Sequence, residues 1–311
     1  MKKVLITGGN GNIGRLVADQ LLKRDIDVIK FDIPGTEPAS TQPGEAVYIG
    51  DIRDYELVKS LIEKYRPDAI YHLASLLSGS SEADPEAAWE INATASFHLL
   101  RLAQKFKVGT FFFAGTVASY GVDLSDPLPE DAEQWPANIY GATKVAVERL
   151  GVYFKQKHGM DFRCLRFPLV FSPFAPASAV TAYPSQAFKA ACNGEPFVFP
   201  VSADTGMSSM LLEDVITGII KVNEIDKNHL SQHAYSLHGY HVTAEQVAKE
   251  IQSRIPTFTY RFDPNPEVDA LLKAWPNVID DHAARKDWGW APQYDFSKSA
   301  DWLMAHFNDK S

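Results

Sequence analysis

A short apolar run, a glycine-rich turn and an amphipathic stretch open the chain, and this order restricts its possible folds more than any other feature. Residues 2–7, KKVLIT, form a brief β-branched run that glycine stops, which predicts a buried strand. Residues 13–24, IGRLVADQLLKR, carry apolar residues at helical spacing with charged residues opposite them. A strand, a glycine turn and a helix in this order predict the first half of a βαβ unit.

The same alternation of strands and helices continues along the first half of the chain. The patterns predict further strands at 27–32, 46–52, 68–75, 109–116 and 161–171. Between these strands they predict helices at 56–65, 85–106 and 140–159. Repeated βα units produce a parallel sheet that is covered on both faces, because each crossover helix returns over the sheet. We therefore expect an α/β fold with a Rossmann-type, doubly wound parallel sheet.

The turn after the first strand reads TGGNGNIG and places glycines at positions 8, 11 and 14. Gly8 permits the tight turn, Gly11 lets the backbone approach a pyrophosphate, and Gly14 lets the helix pack against the sheet. The free N–H groups and the positive dipole end of the helix then face the phosphates. This glycine pattern, placed between a strand and a helix, predicts a dinucleotide-binding loop.

Acidic residues at two strand ends bear on which dinucleotide is bound. Asp32 ends the second strand, where a carboxylate accepts hydrogen bonds from a ribose 2′-hydroxyl and repels a 2′-phosphate. NAD is therefore favoured over NADP, and the alternative is a glycine turn with an incidental aspartate cap. Asp51 and Ile52 close the third strand and are placed to meet the adenine edge of NAD. The alternative for Asp51 is an N-cap of the following helix.

Composition excludes two classes of binding protein and indicates a compartment. The 311 residues include 30 Lys+Arg and 39 Asp+Glu, so the formal net charge is −9. Proteins that bind nucleic acids or anionic membranes need basic surfaces, so we expect neither partner. Cys164 and Cys192 form no metal-binding cluster, and free thiols fit a reducing cytosol. The N-terminus lacks signal-peptide features and no apolar run could cross a membrane, so we expect a cytoplasmic protein without a metal site.

The pattern changes after Phe171, where SPFAPASAVTAYPSQ is rich in Pro, Ala and Ser and has no clean period. The remaining patterns predict two helices and one strand, at 211–225, 243–255 and 233–239. We predict an NAD-binding Rossmann domain at residues 1–170, which the chain rejoins at about 208–240. A smaller, discontinuous α/β lobe for substrate is predicted from residues 171–207 and 241–311.

Three motifs in this order resemble those of the extended short-chain dehydrogenase/reductase family, which includes NAD-dependent epimerases and dehydratases. They are the spacing Gly8-x-x-Gly11-x-x-Gly14, the HLAS strand end at 72–75 and the pair Tyr140-x-x-x-Lys144. The resemblance covers essentially the whole chain. It implies an NAD site formed, besides the two acidic strand ends, by Gly8, Gly11, Asn12, Ile13, Gly14, Leu73, Ala74, Tyr140 and Lys144.

Two further stretches resemble the short-chain L-threonine 3-dehydrogenases within that family, LLSGSSEADPEAAWEIN at 76–92 and AWPNVIDDHAARKDWGWAPQYDF at 274–296. This resemblance implies oxidation of L-threonine to 2-amino-3-ketobutyrate. The chain departs from the pattern at 180–184, where VTAYP replaces a GTTDY-like segment, and at Gly115, which replaces a hydroxyl residue. The alternatives are therefore a UDP-hexose 4-epimerase, a sugar-acid dehydrogenase and a non-catalytic NAD-binding regulator.

The chemistry of the predicted site depends on Tyr140, Lys144 and Thr116. Tyr140 and Lys144 are four residues apart on a helix, so their side chains share one face. A phenol has a pKa of about 10 and becomes a useful base when a nearby ammonium stabilises its anion. Thr116 ends a strand at the edge where such sheets bind ligands, so its hydroxyl can hold a substrate oxygen near Tyr140. These three residues are the predicted catalytic set, and the alternative is a surface Tyr/Lys pair beside a strand threonine.

The remaining candidates follow from the resemblance. It implies that Ser78 and Thr181, with Ser75 as a further candidate, contact substrate together with Thr116 and Tyr140, although each serine or threonine is equally plausible as a loop cap. Asn92 has an implied supporting role. His72 is expected to be a packed strand residue rather than a ligand. The helices at 85–106 and 140–157 offer apolar faces that would pair in a homodimer, as in other family members.

Overall fold

A computed structural model describes residues 1–38, 40–122, 124–175 and 179–308, without the side chain of Val180. The strands of these ranges are β1 Lys3–Thr7, β2 Asp27–Asp32, β3 Glu45–Ile49, β4 Ala69–His72, β5 Thr110–Thr116, β6 Asp161–Phe167, β7 Leu169–Phe171, β8 Phe197–Phe199, β9 Gly206–Leu211, β10 Ala234–Ser236, β11 Tyr240–Thr243 and β12 Tyr260–Phe262. They form three sheets, of which the largest has the strand order β10-β6-β5-β4-β1-β2-β3.

Helices cover this sheet and connect its strands. In the same ranges they are α1 Asn12–Leu22, α2 Tyr55–Tyr65, α3 Ser78–Ala83, α4 Pro85–Ala88, α5 Ala95–Lys105, α6 Ile139–His158, α7 Tyr183–Cys192, α8 Leu212–Glu224, α9 Ala244–Arg254, α10 Pro266–Lys273, α11 His282–Trp288 and α12 Phe296–Asn308. A π-helical turn and three 3₁₀ turns lie between them, at Trp89–Thr94, Val117–Ser119, Val180–Ala182 and Lys227–His229. None of the helices in the described ranges is long and apolar enough to cross a membrane.

The large sheet is parallel throughout its described strands, and its strand order reverses next to β1. Strand β1 pairs with β2 on one side and with β4 on the other, so the loops that follow β1 and β4 leave the sheet in opposite directions. A crevice opens at such a reversal, outside the carboxyl ends of the strands. The predicted α/β, Rossmann-type fold is confirmed, and folds of this kind bind their ligands in such a crevice.

Apolar side chains on the two faces of β1 form two separate cores. Val4 and Ile6 pack against α1 and α8 on one face, whereas Leu5 packs toward α2 and α5 on the other. Successive strand residues point to opposite faces, so a wholly apolar strand is buried on both. The run VLIT of β1 is therefore an interior strand of the sheet, covered on both faces and paired on both edges.

The predicted strand at 161–171 is in fact two strands. Strand β6 ends at Phe167 in the large sheet, and β7 begins at Leu169 and pairs with β9 in a three-stranded sheet with β11. Pro168 lies between them and has no N–H group to donate to a ladder. The chain therefore changes sheets at the proline, a change that the continuous apolar pattern did not indicate.

The predicted helix at 85–106 is interrupted by the π-helical turn Trp89–Thr94. The Ser96 hydroxyl donates to the carbonyl oxygen of Asn92 at 2.5 Å, four residues earlier. A serine that bonds to the preceding turn competes with the regular helix ladder and bends the helix. The interruption turns the Asn92 side chain into the buried interior, where it is 2% exposed.

The described residues after β7 build the smaller sheets. Strands β11, β9 and β7 form one sheet, strands β12 and β8 form another, and a third apolar cluster including Phe188 and Leu303 packs around them. Strand β10, by contrast, returns to the large sheet beside β6. The division into an NAD-binding domain and a substrate-binding lobe stays a prediction.

Candidate active site

The glycine-rich loop after β1 has a geometry that other residues could not adopt. Gly8 has a φ of 70°, in the left-handed region, and its N–H donates to the carbonyl oxygen of Phe31 at 2.9 Å. A Cβ atom added at Gly14 would lie 2.1 Å from the Gly8 carbonyl oxygen. Both glycines are therefore required for the loop to fold against the start of α1.

The loop fits a pyrophosphate on two observations. Gly11 is the N-cap of α1 and provides no side-chain cap, so the first N–H groups of the helix are available to an anion. Asn12 donates through its side chain to the Phe174 carbonyl oxygen, and Ile13 packs against the core. Both residues lie in the first turn of α1, so their backbone N–H groups can face a phosphate.

Asp32 lies at the end of β2 beside this loop. One carboxylate oxygen accepts from the Asn10 N–H at 2.8 Å and the other from the Ile33 N–H at 2.8 Å. A carboxylate can accept about four hydrogen bonds, so lone pairs remain for ribose hydroxyls. The arrangement fits the prediction that NAD binds here.

Asp51 and Ile52 lie beyond the end of β3, in the turn before α2. The Arg53 guanidinium pairs with the Asp51 carboxylate at 2.6 Å and lowers its pKa. The N-cap of α2 is Asp54, which accepts from the Leu57 N–H, so the alternative role of Asp51 as that cap was wrong. Ile52 is buried at 8% exposure.

The structure brings Thr116, Tyr140 and Lys144 together at the carboxyl end of β5. The Thr116 hydroxyl lies close enough to the Tyr140 phenol to lower the pKa of that phenol. The Lys144 ammonium donates to the Ala114 carbonyl oxygen at 3.0 Å and lies 5.5 Å from the centre of the Tyr140 ring. Asn138 caps α6 by accepting from the Gly141 N–H, which fixes the first turn of the helix that presents the tyrosine.

Burial shifts the pKa of both ionisable groups away from charge. It lowers the pKa of Lys144 to about 8, against opposing effects of Cys164 and Glu148. It raises the pKa of Tyr140 to about 12, and the Thr116 hydroxyl opposes this rise. At neutral pH the lysine is therefore still a cation and the tyrosine a neutral phenol, so Tyr140 needs further positive charge to act as a base.

His72 belongs to a buried chain of hydrogen bonds. Its Nδ1 lies 2.6 Å from the Thr7 hydroxyl and its Nε2 2.7 Å from the Ser96 hydroxyl. Ser96 already donates to a carbonyl oxygen, so His72 Nε2 carries the hydrogen and Nδ1 accepts from Thr7. Burial lowers the pKa of His72 to about 3. The histidine is a neutral, packed strand residue, as expected.

Asn92 holds the loop that follows β4. Its side-chain oxygen accepts from the Leu76 N–H at 2.8 Å, and its amide donates to the Leu76 carbonyl oxygen at 3.1 Å. The same amide donates to Thr143 on α6 at 3.3 Å. Asn92 thus joins α6 to the loop that contains the predicted NAD contacts Leu73 and Ala74.

The predicted substrate contacts lie near these elements. Ser78 begins α3, which packs against α6, and Glu82 of α3 accepts from the Ile139 N–H at 2.9 Å. Thr181 lies in a 3₁₀ turn that packs against β7 and α7. Ser75 donates to the Leu76 carbonyl oxygen, which is the loop-capping alternative. The roles of Ser78 and Thr181 toward substrate stay predictions.

Sequence reasoning missed a buried polar network beside the predicted catalytic triad of Thr116, Tyr140 and Lys144. Its members are buried side chains from five separate segments, namely Ser119, Tyr120, Gln134, Glu148, Arg166 and Ser236. They belong to no motif and share no period. The one available signal was a charged Arg166 within the apolar strand CLRFPLVF, because an unpaired charge is rarely buried.

The space beside Gly115 is occupied by residues of the adjacent strand β6. A Cβ atom at this position would lie 2.7 Å from the Cys164 sulfur and 3.0 Å from the Leu165 carbonyl oxygen. Adjacent strand residues point to opposite faces, so a side chain here would point away from that of Thr116. Glycine is therefore required here because the Cys164 side chain on β6 leaves no room for a Cβ atom.

Gly115→Ser is therefore expected to lower the free energy of unfolding by about 1–3 kcal/mol through overpacking. Urea denaturation measures this, and Gly115→Ser/Cys164→Ala should recover part of the loss because the sulfur is removed. Wild-type stability in the single variant would contradict the proposed contact.

Comparisons with known proteins agree with this geometry. The model of the NAD dependent epimerase/dehydratase family matches residues 4–237. An uncharacterized epimerase/dehydratase of Staphylococcus saprophyticus is 34% identical over 96% of this chain and 94% of its own. The mitochondrial L-threonine 3-dehydrogenase of Bos taurus is 31% identical over 94% of this chain and 79% of its own.

Solved structures show the same likeness. The holo form of an L-threonine dehydrogenase from Cupriavidus necator has a TM-score of 0.92 at 29% identity, over 98% of this chain and 99% of that one. A UDP-glucose 4-epimerase from Thermotoga maritima has a TM-score of 0.87 at 21% identity, over 99% of each chain, and supports the fold alone. NAD is thus the cofactor, and its predicted contacts fit the loop described above. The chain belongs to the NAD-dependent epimerase/dehydratase family.

Proposed function

We propose that this protein is an NAD-dependent dehydrogenase that oxidises a secondary alcohol of a small polar substrate, with L-threonine as the favoured substrate. The observation that carries the proposal is that Thr116, Tyr140 and the buried Lys144 meet at the carboxyl end of β5, where the Lys144 ammonium donates to the Ala114 carbonyl oxygen and lies 5.5 Å from the Tyr140 ring. Threonine is supported by the names of the relatives above and by two stretches of sequence that resemble such dehydrogenases.

Each member of the triad has one task in this proposal. Thr116 holds the substrate oxygen, and Tyr140 removes the proton from that oxygen as the alcohol becomes a ketone. Lys144 stabilises the phenolate through its positive charge. NAD, when bound, supplies the acceptor for the hydride that leaves the same carbon. The loop at 8–14, Asp32 and the loop held by Asn92 would position this cofactor.

An absorbance assay of NADH formation with NAD and L-threonine tests the proposal. We expect NADH in proportion to added enzyme, and little with D-threonine, hydroxy acids, sugar acids or UDP-sugars. If a different alcohol were oxidised and L-threonine were not, that alcohol would be the substrate instead of threonine. NAD that stays bound through purification, with no NADH formed from any alcohol, would favour an epimerase instead.

Thr116→Val is expected to move the acidic limb of the kcat/KM profile, along which activity rises with pH, to higher pH. The limb follows the ionisation of Tyr140, because the deprotonated phenol is the active form, and the Thr116 hydroxyl lowers that pKa. Losing the hydroxyl leaves the pKa higher, so more alkaline solution is needed. The pH profile is compared with that of Thr110→Val, at the opposite end of β5. If the limb fell at the same pH in the wild type, Thr116→Val and Thr110→Val, its assignment to a Tyr140 phenol influenced by Thr116 would be wrong.

We propose that the protein forms a homodimer through α5 and α6. Phe97, Tyr153 and Phe154 line a hollow of about 550 Å³ on this face, together with Tyr55 from α2. Tyr153 is 51% exposed and lies beside these aromatic rings, so a second copy could cover it. Light scattering is expected to give twice the chain mass of 34.5 kDa, and Tyr153→Asp to lower it. A monomer at micromolar concentration would refute the proposal.

A cytoplasmic location is also proposed. Cys164 is buried and Cys192 half-buried, and both are free thiols. Free thiols persist in a reducing compartment. Recovery of the activity in the cytosolic fraction of the source cells is the expected result.

A further inference from the structure

We propose that Ser119 and Gln134 are positioning residues that fix Thr116 relative to Tyr140, an inference that rests on the proposed function of this pair. Thr116 belongs to the end of β5, whereas Tyr140 belongs to α6. A catalyst that places two hydroxyls on one substrate oxygen must hold these two elements at a constant separation.

The connection begins at the backbone of Thr116. The Ser119 hydroxyl donates to the Thr116 carbonyl oxygen at 2.7 Å, closing the 3₁₀ turn that follows the strand. The Gln134 amide donates to the Ser119 oxygen at 2.8 Å and to a Glu148 carboxylate oxygen at 3.2 Å. Ser119 and Glu148 are 0% exposed and Gln134 is 8% exposed, so water does not compete for these bonds.

Glu148 makes the connection specific to the catalytic helix. It lies on α6 four residues after Lys144, which itself follows Tyr140 by four. Residues at this spacing share one helix face. The path Thr116–Ser119–Gln134–Glu148 therefore joins the turn that carries the threonine to the helix that carries the tyrosine and the lysine.

Arg166 anchors the far end of this path. Its guanidinium donates to Glu148 at 3.1 Å through Nε and at 2.7 Å through Nη2. It also donates to the Tyr120 hydroxyl at 2.8 Å, which leaves that hydroxyl free to donate to Ser236 on β10 at 2.7 Å. The carboxylate is thus held by Arg166 of β6, and Tyr120 links the same guanidinium to Ser236 of β10.

The test uses the NAD-saturated enzyme and the variants Ser119→Ala and Gln134→Met. Each is expected to lower kcat about tenfold, because small displacements of catalytic groups are costly, without changing the melting temperature more than a matched control does. The control is Ser299→Ala, which removes a buried hydroxyl that donates to the Asp295 carbonyl oxygen at 2.8 Å in α12. If kcat fell in proportion to the loss of stability in Ser119→Ala, Gln134→Met and Ser299→Ala alike, the proposal would be overturned.

A double-mutant cycle separates positioning from a general structural role. Ser119→Ala should have no further effect on kcat in a Thr116→Ala background, since it acts through that threonine. Multiplicative effects of the two changes would overturn the inference.

A second readout needs no substrate. In protein labelled with ¹³C-tyrosine and saturated with NAD, the Tyr140 Cζ signal, assigned by its absence in Tyr140→Phe, reports ionisation of the phenol. Ser119→Ala should move this titration to higher pH as the influence of Thr116 weakens, and Ser299→Ala should not. An unmoved titration would overturn the positioning role, whereas a moved titration in a protein that oxidises no alcohol would overturn the proposed function alone.

Discussion

Tyr140→Phe is expected to lower kcat by about 10²–10⁴-fold, the usual contribution of a general base. Phenylalanine keeps the ring beside Lys144 and removes the phenol that accepts the substrate proton in the proposed reaction. Binding of NAD should weaken far less than kcat falls, because Tyr140 is one of many predicted NAD contacts and the loop at 8–14 and Asp32 do not depend on the phenol. Steady-state kinetics and a fluorescence titration with NAD measure the two quantities.

The matched control for this experiment is Tyr260→Phe, which removes a phenol hydroxyl from β12 in a different sheet. Its kcat should equal that of the wild type. Comparable turnover in the Tyr140 and Tyr260 variants would remove Tyr140 from the mechanism. A parallel loss of NAD binding in Tyr140→Phe would show that the phenol supports the cofactor rather than the proton transfer.

Arg166→Met should lower the free energy of unfolding by about 3–5 kcal/mol, as expected when one member of a buried ion pair is removed. Glu148 is 0% exposed, and its carboxylate would remain without the 2.7 Å partner that offsets its desolvation. Arg166→Met/Glu148→Gln should recover much of the loss, because no buried charge then remains. Urea denaturation measures all three proteins.

An exposed ion pair provides the comparison. Lys249 pairs with Glu245 at 2.8 Å, with side chains 63% and 49% exposed, so Lys249→Met should cost less than about 1 kcal/mol. Equal effects of the Arg166 and Lys249 substitutions would contradict the role assigned to burial. The same would follow if the double variant were less stable than Arg166→Met alone.

Much of the large sheet could be predicted from the sequence, since its signals are local. The run KKVLIT, the glycine turn and the amphipathic stretch after it each specify their own conformation, and β2 was predicted at its observed bounds of 27–32. The change of sheet at Pro168 could not be predicted in this way. It depends on which strand lies beside β7, and that partner, β9, is about forty residues away along the chain.

In the candidate site, too, features with a local sequence signal could be predicted, whereas features that depend on distant segments could not. Tyr140 and Lys144 are linked by helical spacing, and a glycine loop indicates a phosphate without reference to other segments. Gln134 lies in a stretch without periodicity, and its partners Ser119 and Glu148 approach it only in the folded chain. Gly115 appeared in the sequence as a missing hydroxyl, whereas Cys164 on the adjacent strand explains it.

The hydrogen-bond directions around His72 restrict how protons leave the site. Each turnover of the proposed reaction transfers one proton to Tyr140, and a nearby histidine is a common carrier for its release. His72 Nδ1 accepts from Thr7 and Nε2 donates to Ser96, so neither nitrogen is free. With a pKa of about 3, the ring also does not accept a second proton at neutral pH. His72 therefore stays neutral and does not store the released proton as an imidazolium.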